Sequence, residues 1–268
     1  MPEHGAHPLG WLELAVATSL ILVAGLVSLL LRLNMERKVA IAAVRMVVQL
    51  LLVGYVLEWV FAIDSAPVLL GVLVVMIAAA ARAAVRRSTR SYPGAGAQAM
   101  LTLLLTGFAT TFTVTDVIIG VEPWYRPQYV VPLLGMVLGN SLTGISLCLD
   151  TLLESLSEDR EHVELELSLG ATRWEAAHGP LAAAVRRGMI PILNAMLVAG
   201  VVSLPGMMTG QILEGASPLS AVKYQIVVFF MLAAATSLGC ILTSLFVYRR
   251  LFNERHQLLA DLIENRRG

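Results

Sequence analysis

The sequence predicts an all-α integral membrane protein with about seven transmembrane helices, an outside N-terminus and a cytoplasmic C-terminus. Of its 268 residues, 57% are hydrophobic and 14% are charged, whereas an ordinary soluble domain carries about 25% charged residues. Apolar runs of roughly 20 residues recur along the chain, and each could cross a hydrocarbon core of about 30 Å as a helix. Composition and run length therefore favour a helical membrane domain.

Seven apolar runs are predicted to span the membrane, within a single domain over residues 1–268. In chain order the predicted spans are Trp11 to Leu31, Val39 to Phe61, Pro67 to Val85, Met100 to Ile119, Val130 to Leu153, Ile190 to Leu213, and Ala221 to Val247. The residues before the first run contain no Lys or Arg, which a conventional signal peptide would carry there. We therefore expect the first run to remain as a span.

The basic residues predict the orientation of these spans. If the N-terminus lies outside, all of the 19 Lys and Arg residues fall in cytoplasmic segments except Arg45, Arg126 and Lys223. Cytoplasmic loops of membrane proteins carry an excess of Lys and Arg. The distribution therefore predicts N-out and C-in, an asymmetry that the formal net charge of +0 conceals.

The longest connection, about residues 154–189, is predicted to be a cytoplasmic insert with a bent amphipathic helix. It contains VELELSLGATRWEAAHGP, from Val163 to Pro180. Gly170 could end one helix, and Thr172 could cap the next, because Glu175 follows three residues later as in a capping box. The segment therefore predicts a helix, a bend and a second helix.

The charge of this insert indicates what it contacts. Its first part carries five carboxylates against a single arginine, Arg160; the acidic residues are Glu158, Asp159, Glu161, Glu164 and Glu166. A helix that lies on an anionic lipid surface is usually rich in Lys and Arg. The acidic segment therefore favours a protein partner, with a helix on the inner leaflet as the alternative.

The insert resembles the coupling loop, or EAA region, of ABC transporter permeases. That region has an acidic residue six positions before a glycine, and Glu164 and Gly170 match the spacing. Leu165 and Glu166 stand where the region has two alanines. The resemblance implies that a separate ATPase subunit contacts this segment. The residues to which it assigns coupling are Glu164, Glu166, Leu169, Gly170, Ala171, Thr172 and Trp174.

Four longer blocks are similar to the FetB family (UPF0014 type), which comprises iron-export ABC transporter permeases. The blocks, in the same order, are VRMVVQLLLVGYVLEWVF, GMVLGNSLTGISLCLD, ELSLGATRWEAA and SLPGMMTGQILEGASPLSAVKYQI. The resemblance implies a permease homodimer in the cell's inner (cytoplasmic) membrane, two ATP-binding subunits, a metal cation such as iron as cargo, and no nucleic acid. The family also resembles plant proteins linked to aluminium tolerance, which leaves an organic solute such as a nucleotide sugar as an alternative cargo.

The chain contains no motif that could hydrolyse ATP. A Walker A loop needs a lysine followed by Ser or Thr, but Lys38 precedes Val39 and Lys223 precedes Tyr224. We therefore expect a permease subunit that is not an enzyme and binds no cofactor, while the partner ATPase uses ATP and magnesium. A secondary transporter driven by an ion gradient is an alternative, although two similar halves are not evident. A light-driven retinal pump is a further alternative. It would need a lysine deep in the last span, but Lys223 lies at the outer edge of that span.

Polar residues within the spans are candidates for the transport pathway, because such groups are costly in lipid unless they face the interior of the bundle. Those selected are Arg45, Gln49, Asp116, Asn140, Ser141, Thr143 and Pro205. Arg45 and Gln49 are four residues apart and share a helical face. Arg45 could instead extend its side chain to the membrane interface. The three polar residues of the fifth span could instead form hydrogen bonds between packed helices.

The sixth predicted span combines a helix break with candidate metal ligands. Pro205 should kink or unwind the helix, because proline removes a backbone donor and disrupts the preceding turn. The candidate ligands after it are Met207, Met208, Gln211 and Glu214. Thioethers suit soft ions, whereas carboxylate and amide oxygens suit harder ones. The set predicts a metal cation site, with methionine as a packing residue as the alternative.

Overall fold

The computed structural model describes residues 10–63 and 65–265, and helices dominate it. Its elements, in chain order, are α1 (Trp11–Leu30), α2 (Glu36–Ile63), α3 (Ala66–Arg87), β1 (Arg90–Ser91), α4 (Ala95–Phe112) with a π-helical continuation (Thr113–Ile118), α5 (Pro127–Glu158), α6 (Arg160–Ser168), α7 (Arg173–Val198), α8 (Gly206–Leu213), α9 (Pro218–Leu251), a 3₁₀ turn (Ala260–Leu262) and β2 (Glu264–Asn265). Seven helices are long and apolar enough to cross a membrane: α1, α2, α3, α4 with its continuation, α5, α7 and α9. The predicted number of spans is confirmed.

Helix α5 forms the centre of the bundle. It packs against α3, α4, α7 and α9, and α7 also contacts α9. Its leucines Leu149, Leu152 and Leu153 are buried. One end of the bundle carries α6 and the end of α5, and it is called the α6 end here; the opposite end carries α8 and is called the α8 end. The central helices therefore connect these two ends directly.

Helices α1 and α2 pack mainly against each other, at the side of this bundle. The Ser28 hydroxyl donates to Glu36 Oε2 at 2.9 Å and accepts from the Met35 backbone N–H at 3.0 Å, which fastens the turn between the two helices. Most of their apolar side chains are exposed. Such surfaces are suited to a hydrocarbon environment, in which apolar side chains need no protein cover.

Two glycines bring the backbones of α5 and α7 into contact. A Cβ atom on Gly188 would lie 2.7 Å from the Gly144 carbonyl oxygen, and a Cβ on Gly144 would lie 2.9 Å from the Gly188 carbonyl oxygen. The Cys240 sulfur of α9 would be 2.6 Å from the same Gly188 Cβ. Small residues at membrane helix crossings permit such close approach. Three helices therefore meet at a point where only glycine fits.

The sixth span differs from the prediction of Ile190 to Leu213. Helix α7 begins at Arg173 and ends at Val198, after which residues 199–205 are not helical and α8 begins at Gly206. Gly200 takes a φ of 80° in this break, a left-handed conformation that glycine adopts without steric cost. The helix break expected at Pro205 is present, but the chain already leaves the helix at Ala199. The predicted insert consists of the end of α5, helix α6 and the first half of α7.

Replacing Gly188 by alanine should destabilise the protein. Overpacking a close-packed interior typically costs about 1–3 kcal/mol, so we expect a lower apparent melting temperature for the detergent-solubilised protein. Gly179→Ala is the matched control, because Gly179 lies on the same helix with open space around its Cβ position. Equal melting temperatures for the two variants would contradict the backbone contact.

Candidate functional site

The charged segment folds as α6, a bend and the start of α7; residues 160–178 are called the elbow. Helix α6 ends at Ser168, and Gly170 takes a φ of 98° in the bend. The Thr172 hydroxyl oxygen accepts from the Glu175 backbone N–H at 3.3 Å, and Glu175 Oε2 accepts from the Thr172 backbone N–H at 2.7 Å. These reciprocal bonds form the capping box that starts α7. The helix, bend and helix expected from the sequence are present.

The elbow exposes bulky apolar side chains next to carboxylates. Leu169 is 80% exposed and Leu165 is 55% exposed, and Trp174 is exposed over 46% of its surface. Glu164 and Glu166 lie on α6 and are partly buried. An exposed apolar patch with a polar rim is typical of a protein interaction surface. The elbow therefore has the composition of a docking surface for another protein.

Aromatic contacts attach the elbow to α9. The Trp174 ring packs edge-on against Tyr248, with ring centroids 5.4 Å apart. The guanidinium carbon of Arg173 lies 5.7 Å from the centroid of the same tyrosine ring, within range of a cation–π interaction. Val163 is buried in the large apolar core of the bundle. A displacement of the elbow would therefore act on α7 and α9 together.

The C-terminal segment, residues 252–265, folds back across the α6 end, which the sequence analysis did not foresee. Leu258 is buried in the same core as Val163. His256 Nδ1 accepts from the Arg173 backbone N–H at 2.8 Å, so the segment reaches the first residue of α7. Its last described residues form β2, which pairs antiparallel with β1. The apolar residues within this charged segment were the sequence feature that could have indicated its packing against the bundle.

An arginine on α6 links the elbow to this C-terminal segment. Arg160 Nε donates to Glu164 Oε1 at 2.6 Å, and Arg160 Nη1 lies 3.3 Å from Asp261 Oδ1. The hydrogen bond to Glu164, with the negative charge of that carboxylate, raises the pKa of the Arg160 guanidinium. These groups are solvent-exposed, so their contribution to stability is small. Their effect is to orient α6 against the segment.

The structure does not gather all the predicted pathway residues at one site. Arg45 and Gln49 are exposed on α2, at the side of the bundle. Asp116 is exposed in the π-helical continuation of α4, and Pro205 precedes α8. These four residues therefore mark three separate places: one face of α2, the continuation of α4, and the start of α8.

Two of the predicted residues in α5 share a face, and the third points elsewhere. Asn140 Nδ2 donates to the Met136 carbonyl at 3.0 Å, and Thr143 Oγ1 donates to the Gly139 carbonyl at 3.1 Å. Arg87 Nη1 lies 3.5 Å from Thr143 Oγ1. Ser141 is fully buried, and its hydroxyl has no hydrogen-bond partner among the described residues. Asn140 and Thr143 therefore form a half-buried polar face.

A cavity of about 460 Å³ lies at the α8 end, between α5, α8, α9 and the residues that follow α4. Two methionines, two glutamines and two tyrosines line it together with apolar residues: Met136, Met207, Gln128, Gln211, Tyr129 and Tyr224. The Gln211 side-chain oxygen is buried and has no hydrogen-bond partner within the described chain. The cavity therefore offers thioether, amide and phenol groups to a ligand.

The cavity divides the predicted metal ligands into two pairs. Met207 and Gln211 line it, whereas Met208 and Glu214 are not among its lining residues. Glu214 is the C-cap of α8 and is exposed. Met136 joins the cavity from α5, and the sequence analysis missed it because its distance along the chain from Met207 gave no signal. Within residues 10–63 and 65–265, no group of three or more His, Cys, Asp or Glu residues could hold a metal ion.

Residues 11–252 match a family described as an uncharacterised protein family, UPF0014. The chain belongs to the UPF0014 family. A UPF0014 membrane protein of Synechocystis is 36% identical over 96% of this chain and all of its own length. The probable iron export permease protein FetB of Escherichia coli is 33% identical over 95% of this chain and 96% of its own. The protein ALUMINUM SENSITIVE 3 of Arabidopsis thaliana is 30% identical over 96% of this chain and 92% of its own length.

No solved structure matches this UPF0014 chain. The family match covers every candidate membrane span of the structure, from α1 to α9. The chain is therefore a multi-pass membrane protein of the UPF0014 family, in agreement with its seven long apolar helices.

Replacing Leu258 by alanine should loosen α6. Removal of a buried leucine side chain costs about 2–5 kcal/mol, and Leu258 lies beside α6 in the shared core. We expect faster amide hydrogen exchange throughout α6. Leu169→Ala is the control, since Leu169 is 80% exposed. Unchanged exchange in Leu258→Ala would contradict the packing of the C-terminal segment against the elbow.

Proposed function

We propose that this protein is the permease subunit of an ATP-driven exporter and that a separate ATPase binds its elbow from the cytoplasm. The observation that carries this proposal is the elbow itself, which combines an exposed apolar tip, neighbouring carboxylates and a rigid start of α7. Nucleotide-driven movement of the ATPase would tilt α7 and α9 through Trp174 and Tyr248, whose rings are in contact. Alternating access would result from that tilt.

The proposed transporter has a defined orientation and subunit composition. The α6 end faces the cytoplasm and the N-terminus lies outside, in agreement with the excess of Lys and Arg in the segments assigned to the inside. Two permease chains and two ATPase subunits form the transporter. The name of the relative FetB, a probable iron export permease, supports a transport role, and the subunit numbers follow from the resemblance to ABC permeases.

The proposed cargo is a metal cation such as iron, and the cavity at the α8 end is its binding site. Met136 and Met207 present thioethers, and the buried oxygen of Gln211 lacks a hydrogen-bond partner within the described residues. Thioether sulfur and amide oxygen together can bind a transition-metal ion, although neither is selective for iron. The printed name of FetB, a probable iron export permease, supports iron over other metals.

An organic solute is the second candidate cargo. The cavity volume of about 460 Å³ would accommodate a small organic molecule. Its tyrosines and glutamines, among them Tyr129 and Tyr224, could stack against and hydrogen-bond such a molecule. An organic solute would not need a cluster of carboxylates, and the described lining of this cavity contains none.

The docking of the ATPase can be tested with Leu169→Asp. Leu169 is too exposed to affect folding, but a charge at the centre of an apolar contact should weaken binding roughly tenfold or more. We expect loss of co-purification with the partner ATPase subunit. Val201→Asp is the matched control, because Val201 is 88% exposed near the α8 end. Equal co-purification of both variants would refute the docking assignment.

The cargo site can be tested with Met207→Leu, which keeps the side-chain volume and removes the thioether. We expect several-fold slower ATP-dependent transport of Fe(II) in proteoliposomes that contain the permease and its ATPase. Met208→Leu is the control, because Met208 does not line the cavity. An equal decrease in both variants, or undiminished Fe(II) transport in both, would contradict the cavity as the metal site. Absence of Fe(II) transport by the wild-type protein would favour an organic cargo.

A further inference from the structure

A second large cavity lies near the α6 end, as a groove of about 920 Å³ beside α3 and the start of α4. Three arginines from the last turns of α3 line it, Arg82, Arg86 and Arg87. Its lining also includes apolar residues, among them Ala78 of α3 and Met100 of α4. The groove therefore joins a cationic part to an apolar part, and it is separate from both the elbow and the cavity at the α8 end.

Two of these arginines share one face of α3. Arg82 and Arg86 are four residues apart, and Ala78 lies a further four residues back, so the three side chains form a single stripe. Arg87 is directed away from the stripe, toward α5, where its Nη1 lies 3.5 Å from Thr143 Oγ1. Arg82 and Arg86 are therefore the two guanidinium groups that a ligand in the groove could contact together.

The positive charge of the groove is not neutralised by neighbouring carboxylates. Arg82 and Arg86 form no ion pair with any residue that the structure describes, whereas the nearby Arg90 pairs with Glu158 at 2.9 Å. The Asp150 carboxylate reaches the end of α3, where its Oδ1 accepts from the Thr89 backbone N–H and the Thr89 hydroxyl, both at 2.8 Å, and it forms no ion pair with Arg82 or Arg86 within the described residues. No ion pair within the described residues therefore competes with an anion for these two arginines.

Helix electrostatics alone does not account for this groove. Arginines in the last turn of a helix favour its negative end, which explains Arg86 and Arg87 as charges. It does not explain why two unpaired guanidinium groups line a concave space with an apolar floor. Such a shape suits a ligand that carries an anionic group and an apolar group side by side.

We propose that the groove binds a phosphate-bearing ligand, with its phosphate between Arg82 and Arg86 and its apolar part along Ala78 and Met100. The planar guanidinium group donates parallel hydrogen bonds that match phosphate oxygens. Basic pockets between transmembrane helices are known to bind anionic lipid head groups. The phosphate could belong to a phospholipid of the surrounding bilayer or to a soluble phosphate compound, and the two sources are separable by experiment.

The experiment compares the full-length wild-type protein with the double variant Arg82→Gln/Arg86→Gln. Arg249→Gln/Arg250→Gln is the matched control, because it removes two exposed arginines from the last turn of α9 at the same end of the bundle. In the first arm, native mass spectrometry counts phosphatidylglycerol and phosphatidylcholine molecules retained after detergent exchange. In the second arm, isothermal titration of the delipidated protein measures the binding of inorganic phosphate.

The site predicts a selective loss of phosphate binding in the groove variant. Each basic residue near a membrane surface contributes about 1 kcal/mol to the attraction of anionic lipid, so loss of both should reduce phosphatidylglycerol retention roughly tenfold or more. Phosphatidylcholine retention and the control variant should match wild type. Selective retention of phosphatidylglycerol identifies a lipid source, and saturable binding of inorganic phosphate that the groove variant loses identifies a soluble one.

Other outcomes overturn the proposal. It fails if wild type binds neither probe, if the groove variant binds both probes as wild type does, or if Arg249→Gln/Arg250→Gln loses as much binding. The single variant Arg82→Gln guards against misfolding, since it should show an intermediate loss at an unchanged melting temperature. Because neither arm requires transport or the ATPase, failure here leaves the proposed transport function untouched.

Discussion

The contact between the backbones of α5 and α7 at Gly144 and Gly188 determines how the bundle is assembled. Each glycine stands where a Cβ atom would approach the other carbonyl oxygen to within 3 Å. In a bilayer, where lipid is as apolar as a leucine side chain, close packing of this kind replaces the hydrophobic effect as the source of helix association. Helix α9 meets the same point through Cys240 and Thr236. The relative positions of the three central helices follow from this crossing.

Helix α7 joins the elbow to this crossing at the centre of the bundle. The helix extends from its capping box at Thr172 through Gly188 to Val198, with Pro180 and Pro191 inside it. A force applied to the elbow therefore reaches the crossing along one helix, and the contact of Trp174 with Tyr248 applies it to α9 as well. The C-terminal segment adds a third attachment through His256. Coupling through a continuous helix requires no separate lever domain.

The features that depend on local chemistry were predictable from the sequence, and those that depend on distant contacts were not. Seven spans followed from hydropathy, and the start of α7 followed from Thr172 and Glu175, which are three residues apart. The first half of α7 is polar enough to lower a hydropathy average, so the predicted sixth span began too late. Its helical course depends on the packing of buried residues such as Ala177 and Ala184 in the core. The cavity joins Met136 and Met207 from separate helices, and periodicity carries no information about such a pair.

The break between α7 and α8 interrupts the helical connection between the elbow and α8. Residues 199–205 are not helical, and the Val198 carbonyl accepts from the backbone N–H groups of Val201, Val202 and Ser203, while the Gly200 N–H donates to the Ser203 carbonyl in a closed turn. Helix α8 packs against α9 rather than extending α7. A tilt of α7 at the crossing would therefore move its end relative to α8 without carrying α8 along. The walls of the cavity at the α8 end come from α5, α8 and α9, so movement of α9 against α5 would change its shape while the break absorbs the displacement of α7.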